Sequence, residues 1–588
     1  MNNVNKLREA MKRNKINHYI IPSSDPHQSE YVADYYTGRS YVSGFTGSAG
    51  TLLVSETVAK LWTDGRYFIQ AANELKDSGI DLMKMRNPGV LTLEEWISEN
   101  IKSGEVLGFD GRVISTNQYK DLLKISKKNN FKIEMRNDLL EEIWDSRPEL
   151  PKEEIFIHEL KFAGKRASEK INEVRKEMEK FGGKNYIITS LDDIAWLFNI
   201  RGNDITFNPV AIAYALITDK SATLYIDMDK VSSETLKELN NEGIEVCNYE
   251  DIENATLSIK DSVIIDPMKV SAKLYDLIGN DVKIIEKLNI TTILKAIKNN
   301  VEIENTENSQ VRDGVAMVKF IKWLKENLGK EEMTETSVAN ELLGFRAEGE
   351  NFKGESFGTI AGYKDHAAMM HYSATEESEY TLKEEGLLLV DSGGQYYDGT
   401  TDITRTFVLG ELTEEEKRDF TLVLKGHIAL STAKFLKGTT GMNLDILARR
   451  PLWQYGMDYK CGTGHGVGYF LNVHEGPQGF RQEGNTTVLE PGMIITNEPG
   501  VYKEGKHGIR IENTLLVVKD MITDEFGEFY RFETISYCPI DLNGVVVEML
   551  TAEEKEWLNN YHEIVFNKLS PLLNEEEVNF LRKETRSI

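Results

Sequence analysis

Apolar and polar residues alternate between two kinds of pattern in the N-terminal half of the chain. A polar stretch with helical spacing at residues 4–14 precedes the short apolar segment His18–Pro22, which ends in turn-forming residues. The segments Thr51–Val54 and Lys60–Trp62 are typical of paired strands, and residues 67–74 return to helical spacing. This alternation of strands and helices predicts an α/β domain.

The same pattern returns further along the chain. The apolar segment Tyr186–Thr189 ends in a Ser-x-Asp turn, as the first apolar segment does, and Ala215–Asp227 resembles Thr51–Asp64. Equivalent positions are separated by 167 residues in the first pair of segments and by 163 in the second. A nearly constant offset predicts two α/β domains of one type. A chance likeness between two short strand-turn-strand patterns is the alternative.

The composition changes after about residue 305, where Gly, Asp, Glu and His become frequent. Val311–Leu328 has amphipathic helical spacing, and Leu387–Val390 is a wholly apolar strand. Residues 551–588 are helix-like and predict a C-terminal extension. A polar segment with prolines, Arg147–Glu154, marks an earlier boundary. We therefore predict three domains, at residues 1–153, 154–304 and 305–588.

Charge and cysteine content narrow the possible functions. The chain of 588 residues has 69 Lys and Arg against 95 Asp and Glu, a net charge of −26, which argues against binding a nucleic acid backbone. No apolar run reaches the roughly 18–20 residues of a membrane span, and the polar N-terminus is not a secretory signal. The three cysteines, Cys247, Cys461 and Cys538, are too few and too distant for a disulfide framework or a cysteine zinc site. We expect a cytoplasmic protein without membrane or nucleic acid partners.

Two aspartates stand at the ends of predicted strands in the C-terminal region. The apolar strand Leu387–Val390 leads directly into Asp391, and a Gly-Gly pair after it permits a sharp turn. The next predicted strand, Thr401–Leu409, contains Asp402 near its start. Such a hairpin can bring Asp391 and Asp402 together, where two carboxylates repel unless a proton or a cation intervenes.

Two histidines follow in a glycine-rich region. His465 lies in the string GTGHGVG, Gly462–Gly468, and His474 lies in the string NVHEGP. Glycines on both sides of His465 would let the backbone approach a ligand and leave the imidazole accessible. Glycine-rich loops are common, so this pattern alone is a weak signal.

Two glutamates occupy the ends of a further predicted hairpin. Glu498 precedes a Pro-Gly turn, and Glu512 lies on the returning strand, in the string GIRIEN, on the same face as Arg510. A carboxylate in a half-buried strand needs a partner, because burying a bare charge is costly.

Together these motifs supply four carboxylates and one imidazole. This donor set suits Mn²⁺, Zn²⁺, Co²⁺ or Fe²⁺ better than a soft metal. Five protein ligands exceed what one catalytic ion with open positions needs, and two divalent ions would balance four negative charges. The motifs therefore predict a centre with two metal ions that holds and activates a water molecule.

The motif strings resemble the metallopeptidase family with the pita-bread fold. The resemblance covers nearly the whole chain, because GFTGSAG (Gly44–Gly50), WTDGRYFIQA (Trp62–Ala71), DDIAWLFNIRG (Asp192–Gly202) and LTAEEKEWLNNYHEIV (Leu550–Val565) are similar to the long, three-domain aminopeptidase P type. It implies two α/β N-terminal domains like those of creatinase and prolidase. It also implies an α+β pita-bread catalytic domain with a C-terminal helical extension.

The resemblance also implies roles for individual residues. Its metal ligands correspond to Asp391, Asp402, His465, Glu498 and Glu512, with Asp402 and Glu512 bridging the two ions. Its general base corresponds to Glu498, two substrate-side histidines correspond to His371 and His474, and Arg510 corresponds to an arginine that supports the bridging carboxylates. Cys461 stands where many members have a third substrate-side histidine, which puts pocket hydrogen bonding in doubt. We expect His366, His427, His507 and His562 to be surface or structural residues.

The implied activity is metal-dependent removal of the N-terminal residue from peptides with proline in second position, through attack by a hydroxide that bridges the metals. The implied partners are such peptides and a second copy of the chain in a homodimer, and the implied metal is Mn, with Zn, Co or Fe as alternatives. A prolidase, which cleaves Xaa-Pro dipeptides, is the main alternative within the family. A non-catalytic binding module of the same fold is another, although such proteins usually lose metal ligands.

Overall fold

The computed structural model describes residues 2–135 and 138–588, and the chain forms two compact units. The N-terminal unit comprises Met1–Leu160 and Lys165–Ile293, and the C-terminal unit comprises Lys161–Gly164 and Leu294–Ile588. Within the described ranges, no helix has both the length and the apolar character of a membrane span. The domain boundaries proposed from the sequence, after residues 153 and 304, stay predictions.

The first sheet of the N-terminal unit is built around His18–Pro22, all five residues of which are buried. This strand pairs antiparallel with Thr51–Ser55 and parallel with Val106–Gly108. Across the sheet the strands are Asp81–Lys84, Ala59–Thr63, Thr51–Ser55, His18–Pro22, Val106–Gly108 and Lys132–Glu134. The α-helices of this part are Asn3–Arg13, Gly38–Ser43, Phe68–Glu74, Leu93–Asn100 and Thr116–Asn129.

The second sheet of the N-terminal unit repeats the first. Its strands, in order across the sheet, are Ile244–Cys247, Ala222–Ile226, Ala213–Thr218, Asn185–Ile188, Ser262–Ile265 and Lys283–Glu286. Each neighbouring pair runs in the same relative direction as its counterpart in the first sheet. The α-helices here are Ala167–Phe181, Leu191–Phe198, Ser233–Asn241, Asp251–Ser258 and Ala272–Leu277, while the helices Leu160–Ala163 and Ile290–Ala296 each include residues of both units. The predicted pair of α/β domains of one type is therefore confirmed.

The C-terminal unit combines antiparallel sheets with long helices. One six-stranded sheet has the order Lys434–Leu436, Gly527–Thr534, Asn513–Thr523, Ile494–Asn497, Gly464–Gly466 and Glu475–Phe480. Smaller sheets contain Ile360–Tyr363, Leu387–Ser392 and Ile403–Val408; Phe352–Glu355, Gly394–Tyr396 and Gly399–Thr400; and Gly500–Lys503 and His507–Arg510. The α-helices are Asn300–Asn327, Glu335–Ala347, Glu414–Ser431, Gly441–Trp453, Ala552–Leu569 and Glu575–Glu584. This α+β arrangement agrees with the predicted fold class of the catalytic domain.

Two predicted elements differ in detail. The helix expected at Val311–Leu328 begins eleven residues earlier and runs over Asn300–Asn327. It starts there because Asn299 accepts hydrogen bonds from the first-turn amides while Glu302 bonds back to the amide of Asn299. The strand expected at Thr401–Leu409 is shorter, Ile403–Val408, so Asp402 lies just before it.

Candidate metal centre

Asp391 and Asp402 lie at the same end of the three-stranded sheet formed by Ile360–Tyr363, Leu387–Ser392 and Ile403–Val408. Asp391 is the fifth residue of Leu387–Ser392, and this strand pairs antiparallel with Ile403–Val408 so that Asp391 faces Thr404. The chain between the two strands forms its own small hairpin rather than one tight Gly-Gly turn. The register of the two long strands, not the turn, therefore sets the position of the aspartates.

His465 is the middle residue of the strand Gly464–Gly466. Its Nε2 lies 3.3 Å from Oδ2 of Asp402 and 3.5 Å from Oε1 of Glu498. Its Nδ1 lies 2.9 Å from the carbonyl oxygen of Gly466, where it must be the donor because a carbonyl only accepts. Nε2 is thus the ring nitrogen that faces the acids and can bind a metal.

The glycines beside His465 make room for backbone rather than for a ligand. A Cβ at Gly464 would lie 2.0 Å from the carbonyl oxygen of Thr496, and one at Gly466 would lie 2.5 Å from that of Glu475. We therefore correct the interpretation drawn from the sequence. The glycines let three neighbouring strands of the six-stranded sheet approach closely, and that packing fixes the imidazole.

Glu498 and Glu512 lie just outside paired strands. Glu498 follows Ile494–Asn497, and Glu512 precedes Asn513–Thr523. Glu512 is fully buried, and its Oε2 accepts a hydrogen bond of 2.7 Å from Oγ1 of Thr404. Both glutamates therefore approach the centre from the six-stranded sheet, whereas the two aspartates come from the three-stranded one.

The five predicted ligands converge on one place. One ligand atom each from Asp402, His465 and Glu512 lies within 4.8 Å of the other two, close enough to share one metal ion. Glu498 joins this group through its 3.5 Å contact with His465. Asp391 is near enough to Asp402 and Glu498 for their charges to act on each other.

Burial and mutual repulsion favour the protonated forms of these acids. Burial raises the pKa of Asp391, Glu498 and Glu512, and the charges of Asp402, Glu498 and Asp391 raise the pKa of Glu512 further. Burial by itself lowers the pKa of His465, but the hydrogen bond with Asp402 and the charge of Glu498 outweigh it and raise the pKa to about 9. Such a cluster is electrostatically unfavourable until cations compensate it.

The residues present fit a centre with two metal ions. Oδ1 of Asp391 is buried and has no hydrogen-bond partner within residues 2–135 and 138–588, so it can serve as a ligand atom. Four carboxylates and one imidazole form a donor set that suits divalent Mn, Zn, Co or Fe. Two divalent ions would also neutralise the repulsion among the four acids.

Arg510 holds the acids in place from one side. Its Nη2 pairs with Oδ2 of Asp391, and its Nε donates to Oγ1 of Thr404 at 3.1 Å. Its Nη1 donates to the hydroxyl of Tyr502 at 2.8 Å. The arginine thus binds Asp391 directly and reaches Glu512 only through Thr404, whereas the resemblance implied support of the bridging carboxylates. Tyr502 is a contact that the sequence pattern did not reveal.

The two predicted substrate-side histidines lie in different surroundings. The ring of His474 stands perpendicular to that of His465, with 4.3 Å between the ring centroids. His371 is half-buried in the segment between the short 3-10 helix Lys364–Ala368 and the strand Leu387–Ser392. That short helix packs against His507–Arg510, the strand that carries Arg510. The structure therefore places His474 at the centre, and it places His371 in a segment anchored beside it.

The four remaining C-terminal histidines are structural. His427 is fully buried and bonds to Asn497 and Asn513, the neighbours of Glu498 and Glu512. No sequence signal indicated that His427 joins the two strands that lead to these glutamates. The other three bond inside the protein, with His366 on Glu335, His507 on Asp419, and His562 on the amide of Ile540.

Cys461 is half-buried, and its carbonyl oxygen accepts a 2.8 Å hydrogen bond from Arg449. Its thiol lies near enough to Tyr502, the partner of Arg510, to act on that hydroxyl electrostatically. The position is therefore close to the centre, but a thiol offers weaker hydrogen bonding than an imidazole.

Family comparisons divide the chain into four matched segments. Residues 304–519 match metallopeptidase family M24, and residues 528–588 match the C-terminal region of peptidase M24. Residues 3–133 and 146–302 each match the creatinase/prolidase N-terminal domain. The two N-terminal matches correspond to the two similar sheets.

Similar proteins extend these matches over the full length. A probable Xaa-Pro aminopeptidase P of Talaromyces marneffei is 43% identical over 99% of this chain and 91% of its own length. A crystal structure of X-prolyl aminopeptidase from Caenorhabditis elegans, described as a cytosolic enzyme with a di-nuclear active site, is 32% identical, with a TM-score of 0.95 and full coverage of both chains. The prolidase from Pyrococcus horikoshii is 26% identical, with a TM-score of 0.50, and matches 64% of this chain and 99% of its own.

Proposed function

Because the chain belongs to metallopeptidase family M24, we propose that it is an aminopeptidase that releases the N-terminal residue from peptides with proline in second position. The observation that carries this proposal is the full-length match to proteins named Xaa-Pro aminopeptidase, which includes both N-terminal domains. The prolidase match leaves about a third of the chain uncovered. A dipeptidase is therefore the less favoured alternative.

The metals would be held by Asp391, Asp402, His465, Glu498 and Glu512. We propose two divalent ions per subunit, with Mn²⁺ as the first candidate, because the donor set is mostly carboxylate oxygen. When bound, such ions polarise a peptide carbonyl and lower the pKa of a water molecule toward neutrality. The four acids favour binding of such ions, because the positive charge of the ions relieves the repulsion among the carboxylates.

The protein groups around the centre would handle protons and orient the peptide. Glu498 would accept the proton of the attacking water and pass it to the leaving nitrogen. That nitrogen belongs to proline and must be protonated to leave. His474, beside His465, would donate a hydrogen bond to the carbonyl oxygen as negative charge develops there, and His371 would help to hold the substrate. Arg510 would keep Asp391 oriented.

Turnover of two peptides by one preparation tests this function. Metal-stripped protein is assayed with an Ala-Pro-Ala tripeptide and a Gly-Pro dipeptide, with and without added Mn²⁺. We expect tripeptide cleavage only with metal and little dipeptide cleavage. Preferred cleavage of the dipeptide would assign the chain to the prolidases, and no cleavage of either peptide under any divalent metal would overturn the proposal.

We also propose that the chain forms a homodimer. On the helix Gly441–Trp453, the side chains of Met442, Ile446 and Trp453 are exposed, and Trp453 is 45% exposed. Such a cluster of large apolar side chains is typical of a protein interface, and a second copy is the simplest occupant. Light scattering of the wild type and of Trp453→Glu should give a dimer and a monomer; a wild-type monomer would contradict the proposal.

A cytoplasmic location is the remaining proposal. It is supported by three cysteines that form no disulfide and by the cytosolic enzyme among the similar structures. Free cysteines are typical of reducing compartments. Fractionation of the source cells, followed by detection of the protein in the cytosolic fraction, tests it.

A further inference from the structure

Two lysines and one glutamate are buried together, and the glutamate is the residue that follows His474. Nζ of Lys295 lies 2.8 Å from Oε2 of Glu475, and Nζ of Lys298 pairs with Oε1 of the same carboxylate. Nζ of Lys298 also donates to the carbonyl oxygen of Lys295 at 3.0 Å. Each of the three side chains is 1% exposed. We name this cluster of Lys295, Lys298 and Glu475 the Lys-Glu-Lys triad.

Burying the triad carries a large desolvation penalty. Removing an ammonium or a carboxylate from water carries a large penalty, and the triad buries three such charged groups. Apolar side chains of similar size would pack there without that penalty. A role in orienting Glu475 explains the triad better than a contribution to stability does. Charge-assisted hydrogen bonds from the two lysines restrain both oxygens of its carboxylate.

The triad is directly linked to His474 through the backbone. Glu475 opens the strand Glu475–Phe480 and pairs with Gly466, the residue after His465. His474 is the residue immediately before this strand, and its ring centroid lies 4.3 Å from that of His465. Holding both carboxylate oxygens of Glu475 and pairing its backbone with Gly466 therefore restrains the peptide from which the His474 side chain extends toward His465.

The lysines are themselves tied to the strand that leads to Glu498. The amide of Lys298 donates to the carbonyl oxygen of Gly492 at 3.0 Å, and Ile297 forms an isolated β-bridge with Met493. The strand Ile494–Asn497 follows immediately. The triad thus joins the segment that carries His474 to the segment that carries Glu498.

We propose that Glu475, held by Lys295 and Lys298, is a positioning residue that sets the orientation of His474 for the reaction. This inference rests on the proposed function of His474 as the group that donates to the developing oxyanion. Loss of the restraint leaves the metal ligands intact and lets the imidazole of His474 take other directions. It therefore acts on the chemical step more than on metal or substrate binding.

Glu475→Gln tests the proposal, because it keeps the size and removes the charge. With the full-length metal-loaded enzyme, we expect kcat for the tripeptide to fall about 10- to 100-fold, with KM changed less than about 3-fold. Bound metal, measured by atomic emission, should stay equal to wild type. In metal-free protein, the rate at which diethylpyrocarbonate modifies His474, followed by mass spectrometry, should rise several-fold.

Two further variants separate positioning from stability. Asp313→Asn removes the carboxylate of another buried ion pair of the same unit, in which Oδ1 of Asp313 lies 2.8 Å from Nε of Arg346. We expect it to lower the melting temperature as Glu475→Gln does, with kcat unchanged. Lys298→Met leaves the Lys295–Glu475 pair in place, and we expect it to fold more readily than Glu475→Gln. It should lower kcat as well, but by a smaller factor than Glu475→Gln does.

Several outcomes would overturn the proposal. They are a kcat within 2-fold of wild type for both triad variants, a loss of activity that follows loss of metal, and an equal kcat loss in Asp313→Asn. An unchanged modification rate at His474 would also overturn it. If the wild type cleaves no Xaa-Pro peptide, the proposed function fails, yet the modification rate still decides whether Glu475 positions His474.

Discussion

At the scale of single residues, the centre is defined by charges that oppose folding. Burial raises the pKa of Asp391, Glu498 and Glu512, although Arg510 pairs with Asp391 and His465 lies 3.5 Å from Glu498. Metal ions offset this repulsion when they bind, so the unfavourable charges contribute to metal affinity. Function and stability are therefore in conflict at these positions.

Replacing Glu512 by Gln, or Asp402 by Asn, should separate the two effects. Each change removes a ligand charge from the group that includes His465, so we expect metal binding to weaken beyond detection and peptide cleavage to fall at least about 1,000-fold. Without metal, Glu512→Gln should be more stable than wild type at pH 7, by about 1 kcal/mol, because repulsion among the acids is reduced. Asp402→Asn should gain less, because it also removes the pairing of Asp402 with His465.

Titration calorimetry with Mn²⁺ and denaturant unfolding of the metal-free proteins check both effects. Glu504→Gln, at an exposed position, is the control and should behave as wild type. Normal turnover in either ligand variant would refute the assignment of these residues as metal ligands.

At the scale of elements, buried carboxylates anchor the segments that reach the centre. Glu335, the first residue of the helix Glu335–Ala347, accepts hydrogen bonds from the amides of Tyr363 and Tyr380 and from the hydroxyl of Tyr372. Its carboxylate also pairs with the ring of His366. These partners bracket the segment that carries His371, so one side chain fixes both ends of it.

Glu335→Gln should therefore loosen this segment. Each oxygen of Glu335 accepts from a backbone amide, of Tyr363 or of Tyr380, so the amide nitrogen of Gln would face a group that can only donate. We expect about 2–3 kcal/mol of destabilisation, or a melting temperature lower by roughly 5–10 °C. If His371 assists the reaction as proposed, kcat should fall as well.

Thermal unfolding and peptide assays measure these two quantities. Glu348→Gln is the matched control, because Glu348 is an exposed partner of Lys319 and should contribute less than about 0.5 kcal/mol. A variant as stable as wild type would show that the Glu335 contacts do not hold the segment.

At the scale of the whole molecule, stability should depend on pH through buried neutral histidines. Burial, aided by the charge of Arg405, lowers the pKa of His427 to about 3 and that of His562 to about 4. In the unfolded chain both titrate near 6.5, so the unfolded state binds more protons below that pH. The stability that these two histidines contribute is therefore fully present above about pH 6.5 and is lost as the pH falls toward 4.

The contribution of His562 can be isolated because its Nε2 accepts a 3.1 Å hydrogen bond from the amide of Ile540, which the protonated ring cannot do. We expect this histidine to lower the free energy of unfolding by about 2 kcal/mol between pH 8 and pH 5. In His562→Gln that loss should be smaller by about this amount. Denaturant unfolding of both metal-free proteins at the two pH values measures it, and equal losses would contradict the assignment.

The sequence by itself determined the local structure and the family. Short apolar runs identified the buried strands at His18–Pro22 and Leu387–Val390, and a nearly constant offset between similar segments identified the repeat of an α/β domain. The strings that carry the predicted metal ligands resembled those of the pita-bread metallopeptidases, since each string combines unusual residue types at fixed spacing.

Only the tertiary structure decided which side chains meet. Arg510 and Asp391 are 119 residues apart, and Lys295 and Glu475 are 180 apart, and no local pattern encodes either pair. The burial of His427 likewise depends on how its helix packs against two strands. Such contacts follow from strand register and packing, which depend on the whole fold, whereas periodicity depends only on neighbours along the chain.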